Sequence, residues 1–126
     1  MRLEHIAVYV SDLEGARAFF EKYFGGVSNS LYHNVATGFR SYFLSFDGGA
    51  RLELMTKPAL PERDPAERPG YVHIAVSVGS REAVDSLSAA LMADGYSVIS
   101  GPRTTGDGYY ECAVLGFEDL LIEVTV

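Results

Sequence analysis

Apolar side chains recur at every second position along LEHIAVYV, residues 3–10, and again along YVHIAVSV, residues 71–78. That period predicts strands. Ile6, Val8 and Val10 would share one face of the first strand, with Leu3, His5, Ala7 and Tyr9 on the other. In the second strand Val72, Ile74 and Val76 oppose Tyr71, His73 and Ala75. The purely apolar faces suit packing beneath helices, so both histidines point to the opposite surface of the sheet.

The pattern then changes to helical spacing. Leu13, Ala16, Phe19, Phe20, Tyr23 and Phe24 form one apolar stripe, and Val84, Leu87, Leu91 and Met92 form another. Ser11 with Glu14 reads as a capping box and Gly25 as a helix stop, while Ser80 and Gly95 bound the second helix. Three strand-like stretches follow each helix. In the first half they are residues 27–33, 39–47 and 50–56, the last two joined by a DGG turn. In the second half they are residues 96–100, 109–115 and 120–126. Between the halves, KPALPERDPAERPG holds four of the five prolines and reads as an exposed linker.

The expectation is an α+β fold of two βαβββ modules, 1–56 and 71–126, joined by a linker at 57–70. Neither module alone would cover both faces of its sheet. The two are therefore read as one domain over 1–126.

Composition narrows the function. The chain has 126 residues, 48% of them hydrophobic, enough to bury a core. Its formal net charge is −7 and its ten basic residues are scattered, which speaks against nucleic acid or an anionic membrane as partner. A single cysteine, Cys112, excludes an internal disulfide framework and reads as a small core residue. No apolar stretch approaches the roughly 18–20 residues of a membrane span, and the N-terminus has no signal-peptide cleavage pattern, so a cytoplasmic location is expected.

Candidate chemistry lies on the strands. Glu53 sits between Leu52 and Leu54, and Glu123 between Ile122 and Val124. A carboxylate among apolar strand neighbours is costly unless it is paired or bound to a metal. His5 and His73 lie 68 positions apart, Glu53 and Glu123 lie 70 apart, and both intervals match the repeat. Singly, each residue would more often be an ordinary surface or core group. Four at symmetric places in a duplicated module point to a divalent-metal site with room for water.

With these residues the chain resembles the vicinal oxygen chelate superfamily, which includes glyoxalases, bleomycin-resistance proteins and extradiol dioxygenases. HIAVYVSDLEGARAFFEKYFG, RSYFLSFDGGARLELM, GYVHIAVSV and LLIEVTV carry the resemblance across nearly the whole chain. Within that group, a first-strand His and a last-strand Glu in each module are most similar to bacterial-type glyoxalase I (lactoylglutathione lyase). The resemblance implies two βαβββ modules forming a cupped mixed sheet around a metal site, in a homodimer with Ni, Zn or Co, acting on a small α-hydroxycarbonyl of the hemithioacetal type by proton transfer through an enediolate. It makes Glu123 the first candidate for the base and Glu53 the second. Glutathione-using relatives carry Arg where this chain has Tyr9 and Asn where it has Lys57, so these two positions are substrate-binding candidates and glutathione as co-substrate is open.

Further substrate-contact candidates come from the strands. If Gly48–Gly49 is the turn, Leu44 pairs with Glu53, which places Arg40 and Tyr42 on the metal's face. GPRTTGDGYY resembles a loop beside the site and offers Arg103 and Tyr110. His33 lacks the apolar pattern of the ligand strands. Two other functions compete: a drug-sequestering protein of the bleomycin-resistance type, whose members generally lack the ligands, and a ring-cleaving dioxygenase, which typically uses three of them.

Overall fold

The computed structural model describes residues 5–60, 73–105 and 108–126. The chain forms two compact units, Met1–Glu67 and Arg68–Val126. Most of the expected linker, residues 61–70, lies outside the described residues.

The first unit runs β1 (His5–Tyr9), α1 (Leu13–Phe24), β2 (Val27–Ser28), β3 (Tyr32–Asn34), β4 (Phe39–Ser45) and β5 (Arg51–Thr56). Its sheet has the order β1-β5-β4-β2, with β3 also on β4, and is mixed because β1 runs parallel to β5. The stripe of α1 buries Leu13, Ala16, Phe19 and Phe20. Val8, Val10, Leu44, Leu52 and Leu54 are buried on the sheet, and their alternation puts them on the face that meets α1.

The helix is capped one residue later than expected. Asp12 Oδ1, not Ser11, accepts from the Gly15 backbone N–H at 3.0 Å. Asp12 stands immediately before Leu13, three residues from the Gly15 amide, and its charge complements the helix N-terminus. Gly25 ends the helix in the left-handed region as expected, at φ 64°.

The strand expected at 27–33 is two short strands instead. Val27 pairs with Ser45 in β2 and Tyr32 with Ser41 in β3, so the register steps by one residue between them. Asn29 causes the interruption: its Oδ1 accepts from Phe43 N–H at 2.8 Å while its own N–H donates to the Phe43 carbonyl at 3.0 Å. A side-chain amide thus replaces a ladder bond.

The second unit runs β6 (Ile74–Ser77), α2 (Arg81–Ala93), β7 (Ser97–Thr104), β8 (Tyr110–Leu115), a 3-10 turn (Phe117–Asp119) and β9 (Leu121–Thr125). Its sheet order is β6-β9-β8-β7, again with the first strand parallel to the last. Ser80 caps α2 through Ala83 N–H at 3.1 Å. At the other end Tyr96 N–H reaches the Leu91 carbonyl at 3.0 Å and Gly95 N–H the Met92 carbonyl at 3.1 Å, a Schellman closure. The buried stripe is Val84, Ser88 and Leu91. Met92, expected in it, is 56% exposed, because Val84, Ser88 and Leu91 already complete the i, i+4, i+7 face.

Half of GPRTTGDGYY, residues 101–104 and 110, is strand rather than loop. Arg103 pairs with Glu111 and Thr104 with Tyr110, after register shifts around Ser100. Gly101, at φ 78°, lets β7 press against β8: a Cβ there would stand 2.5 Å from the Glu111 carbonyl oxygen. Residues 106 and 107 of this segment lie outside the described residues. Two mixed sheets with one helix on each confirm the α+β class.

Candidate metal centre

In the first unit, strand alternation places His5, Ala7 and Tyr9 on the sheet face away from α1. The parallel register sets Ala7 beside Glu53 and His5 beside Arg51, so Glu53 shares that face. His5 Nε2 lies 3.9 Å from Glu53 Oε2. The second unit repeats the arrangement. Ala75 is beside Glu123, His73 stands two residues earlier, and His73 Nε2 lies 3.2 Å from Glu123 Oε2. Each histidine therefore meets its glutamate through the same offset: a ligand, a spacer residue, an alanine opposite the carboxylate.

Each unit contributes a pair. No group of three or more candidate His, Cys, Asp or Glu ligands occurs among the described residues. Two donors at right angles on an ion, each at about 2.1 Å, are about 3 Å apart. The His73–Glu123 spacing, 3.2 Å, is close to that value, and the His5–Glu53 spacing, 3.9 Å, is longer. Imidazole nitrogen with carboxylate oxygen suits Zn, Ni, Co or Mn. The glutamate side chains are 15% and 27% exposed, at Glu53 and Glu123. They are sheltered on the sheet yet open to a ligand.

Two expected substrate contacts lie on the other face. Phe43, not Leu44, is opposite Glu53, and Leu44 is opposite Leu52. The hairpin loop is centred on Gly48 and has an odd number of residues, which slips the register by one and reverses the face of every β4 side chain. Arg40 and Tyr42 therefore share the face of Leu52 and Leu54. Tyr42 is buried there, and its hydroxyl donates to Glu14 Oε1 at 2.8 Å. Arg17 lies over the Tyr42 ring at 5.1 Å and pairs with Glu14 at 3.0 Å. The bond to Glu14, with burial, raises the Tyr42 pKa.

Tyr110 is likewise on the helix side, its hydroxyl donating to Asp85 Oδ1 at 2.7 Å with Arg81 over its ring at 4.8 Å. That bond raises its pKa. Arg103, opposite Glu111, is on the Glu123 face, where its Nε donates to Ser100 Oγ at 3.0 Å. Tyr9 is 46% exposed on the His5 face, with Lys57 Nζ 5.1 Å from its ring centroid. Exposed His33 pairs with Arg40 across β3–β4. Cys112 is buried, and burial pushes its thiol pKa up.

Two residues of the His5 face escape the sequence reading. Phe43 makes an edge-on contact with His5 at 5.3 Å between ring centroids, and Arg51 lies over the same ring at 4.2 Å. Arg51 stands two positions before Glu53, so strand period alone could have found it. Phe43 was hidden by the register slip.

Two units, each with a helix on one face of a mixed sheet and a His–Glu pair on the other, are the marks of a two-module fold family. Residues 2–121 match the profile of the Glyoxalase/Bleomycin resistance protein/Dioxygenase superfamily, and the chain belongs to it. Solved structures agree in fold. A glyoxalase family protein from Bacillus cereus is 20% identical with a TM-score of 0.81, the match covering 99% of this chain and 93% of that one. The trypanothione-dependent glyoxalase I of Leishmania major is 19% identical with a TM-score of 0.79, covering 99% and 86%. A fosfomycin resistance protein from Listeria monocytogenes, solved with Mn(II) and sulfate, is 22% identical with a TM-score of 0.72, covering 98% and 90%. No curated protein matches the sequence. No helix among the described residues is long and apolar enough to cross a membrane.

Proposed function

We propose that this protein is a divalent-metal-dependent lyase or isomerase of the glyoxalase I type, acting on a small α-hydroxycarbonyl. The observation that carries the reading is the identical His–Ala/Glu register in both units. His5, Glu53, His73 and Glu123 would hold the ion, with both units working as one functional domain in a cytoplasmic homodimer. When bound, the ion supplies Lewis-acid polarisation to two adjacent substrate oxygens. Glu123, the more exposed of the two carboxylates, would move the substrate's carbon-bound proton to the neighbouring carbon, and Glu53 would serve to hold the ion. Tyr9 and Lys57 border the substrate at the end of the His5 face, where a thiol-bearing co-substrate would lie. The glyoxalase I and the Mn(II)-bound fosfomycin resistance protein among the structural relatives support metal-dependent chemistry on small molecules.

The test is a calorimetric titration with Ni, Zn, Co and Mn, then turnover of methylglyoxal with and without glutathione. Binding of one ion per complete set of four ligands is expected, lost in His5→Ala and Glu123→Ala. Absence of divalent-metal binding would overturn the reading. Mixing the two variants after joint refolding shows where the pairs join. Recovery of about a quarter of the sites, one in each heterodimer of a random mixture, marks completion between copies, and none marks completion within one.

A further inference from the structure

The open face of the first unit continues past Glu53 as a row of large apolar side chains. The strand registers set Tyr9 beside Met55, Met55 beside Ser41 and Ser41 beside Tyr32, across β1, β5, β4 and β3. Met55 stands two residues beyond Glu53, so the row lies on the same face, about 7 Å along the strand from the carboxylate. Tyr9 and Tyr32 are 46% and 54% exposed, and Met55 is half-buried. Ser41 is buried, so two tyrosines and a methionine make the surface of the row. The Tyr32 ring lies against Phe39, with centroids 6.1 Å apart, and Lys57 Nζ lies 5.1 Å from the Tyr9 centroid.

The second unit shows that the fold does not call for apolar side chains there. Its matching row, two residues beyond Glu123, sets Thr125 between Ser77 and Glu111, with Arg103 beside Glu111. All four are polar and two carry charge. The apolar row is thus a property of this sequence at one ligand pair. Aromatic rings pair in offset or edge-on geometries, and a methionine sulfur makes favourable contacts at ring edges. A half-exposed surface of tyrosine and methionine therefore suits a flat, uncharged ring.

The geometry points to the Tyr9–Met55–Tyr32 row as a subsite for an aryl group on the substrate, making the substrate class an aryl-bearing α-hydroxycarbonyl. This rests on the metal-centre reading above. A ring one or two bonds from the chelating oxygens' carbons covers the distance from Glu53 to Met55, one strand repeat of about 7 Å. The row takes no proton and holds no metal; it selects the substrate and orients it.

Three hydroxamates test this on the metal-loaded protein: acetohydroxamate, phenylacetohydroxamate and cyclohexylacetohydroxamate. Each presents the same two adjacent oxygens, with no ring conjugated to them. The wild type should bind the phenyl probe at least about tenfold more tightly than acetohydroxamate, the scale of half-burying a ring. It should bind the phenyl probe at least about threefold more tightly than the cyclohexyl probe, the scale of ring pairing beyond area. Met55→Thr, which copies the second unit, and Tyr32→Ser, at an exposed position, should each cut the preference for phenyl over methyl by about threefold or more. Metal and acetohydroxamate affinities should stay within about twofold in both variants. No phenyl preference in the wild type, a cyclohexyl probe bound as tightly, or a preference unchanged in both variants would overturn the assignment while leaving the metal centre intact. Failure of wild-type protein to bind metal would overturn the metal-centre reading, and the assignment with it.

Discussion

Tyr42 is the sharpest test of the β4–β5 register. If Phe43 faces Glu53, Tyr42 belongs to the helix side, and Tyr42→Phe removes a structural hydrogen bond and nothing from the metal face. A bond to a charged acceptor contributes about 1.5–3 kcal/mol when shielded from water. The Glu14 side chain is 52% exposed and shared with Arg17. The expected loss is therefore about 1 kcal/mol, or about 3–4 °C in Tm for a chain of this length. The pH dependence carries a sign. The folded pKa of Tyr42 is raised, first by its bond to Glu14, so the bond's contribution is complete below the unfolded value near 10 and is lost as pH rises through the folded value. The stability gap between wild type and Tyr42→Phe should be full at pH 7 and shrink in strong alkali. Thermal unfolding across that range, beside metal titration at pH 7, gives both readouts. An unchanged Tm together with weakened metal affinity would refute the register and return Tyr42 to the site.

Other substitutions probe the frame. Gly101→Ala should cost about 3 kcal/mol or more, combining a left-handed φ with a Cβ 2.5 Å from a backbone oxygen; a urea midpoint that stays put would remove the close approach of β7 and β8. Asp12→Ala should cost about 1 kcal/mol through the lost cap of α1, measured the same way. Cys112 should react slowly with a thiol reagent in the native protein and rapidly in urea, because it is buried with a raised pKa.

Much of the architecture is legible in the order of residues. Period-two patterning at His5–Tyr9 and around Glu53 and Glu123 put each histidine and glutamate on the face where the structure has it, since alternation needs only local geometry. The capping serine and Gly95 of α2 were equally readable. What failed depended on pairing between strands. DGG announced a hairpin but not its loop length, and one residue of difference exchanged Tyr42 for Phe43 at the site. Asn29 split a strand through a side-chain bond that no periodicity encodes. Residues 101–104 look like a loop by composition, yet Gly101 serves a close strand contact. The union of the two ligand pairs stays with the proposed function.

In both units the histidine strand is the first element and the glutamate strand the last, laid side by side in parallel. His5 and Glu53 are 48 residues apart and His73 and Glu123 are 50, so each pair joins residues far apart in the sequence. Loop-closure entropy makes such contacts late events in folding. A growing chain would therefore present histidines without their carboxylates until a whole unit had emerged. Under the proposed function, metal affinity would appear only after both units are complete, and fragments would lack it.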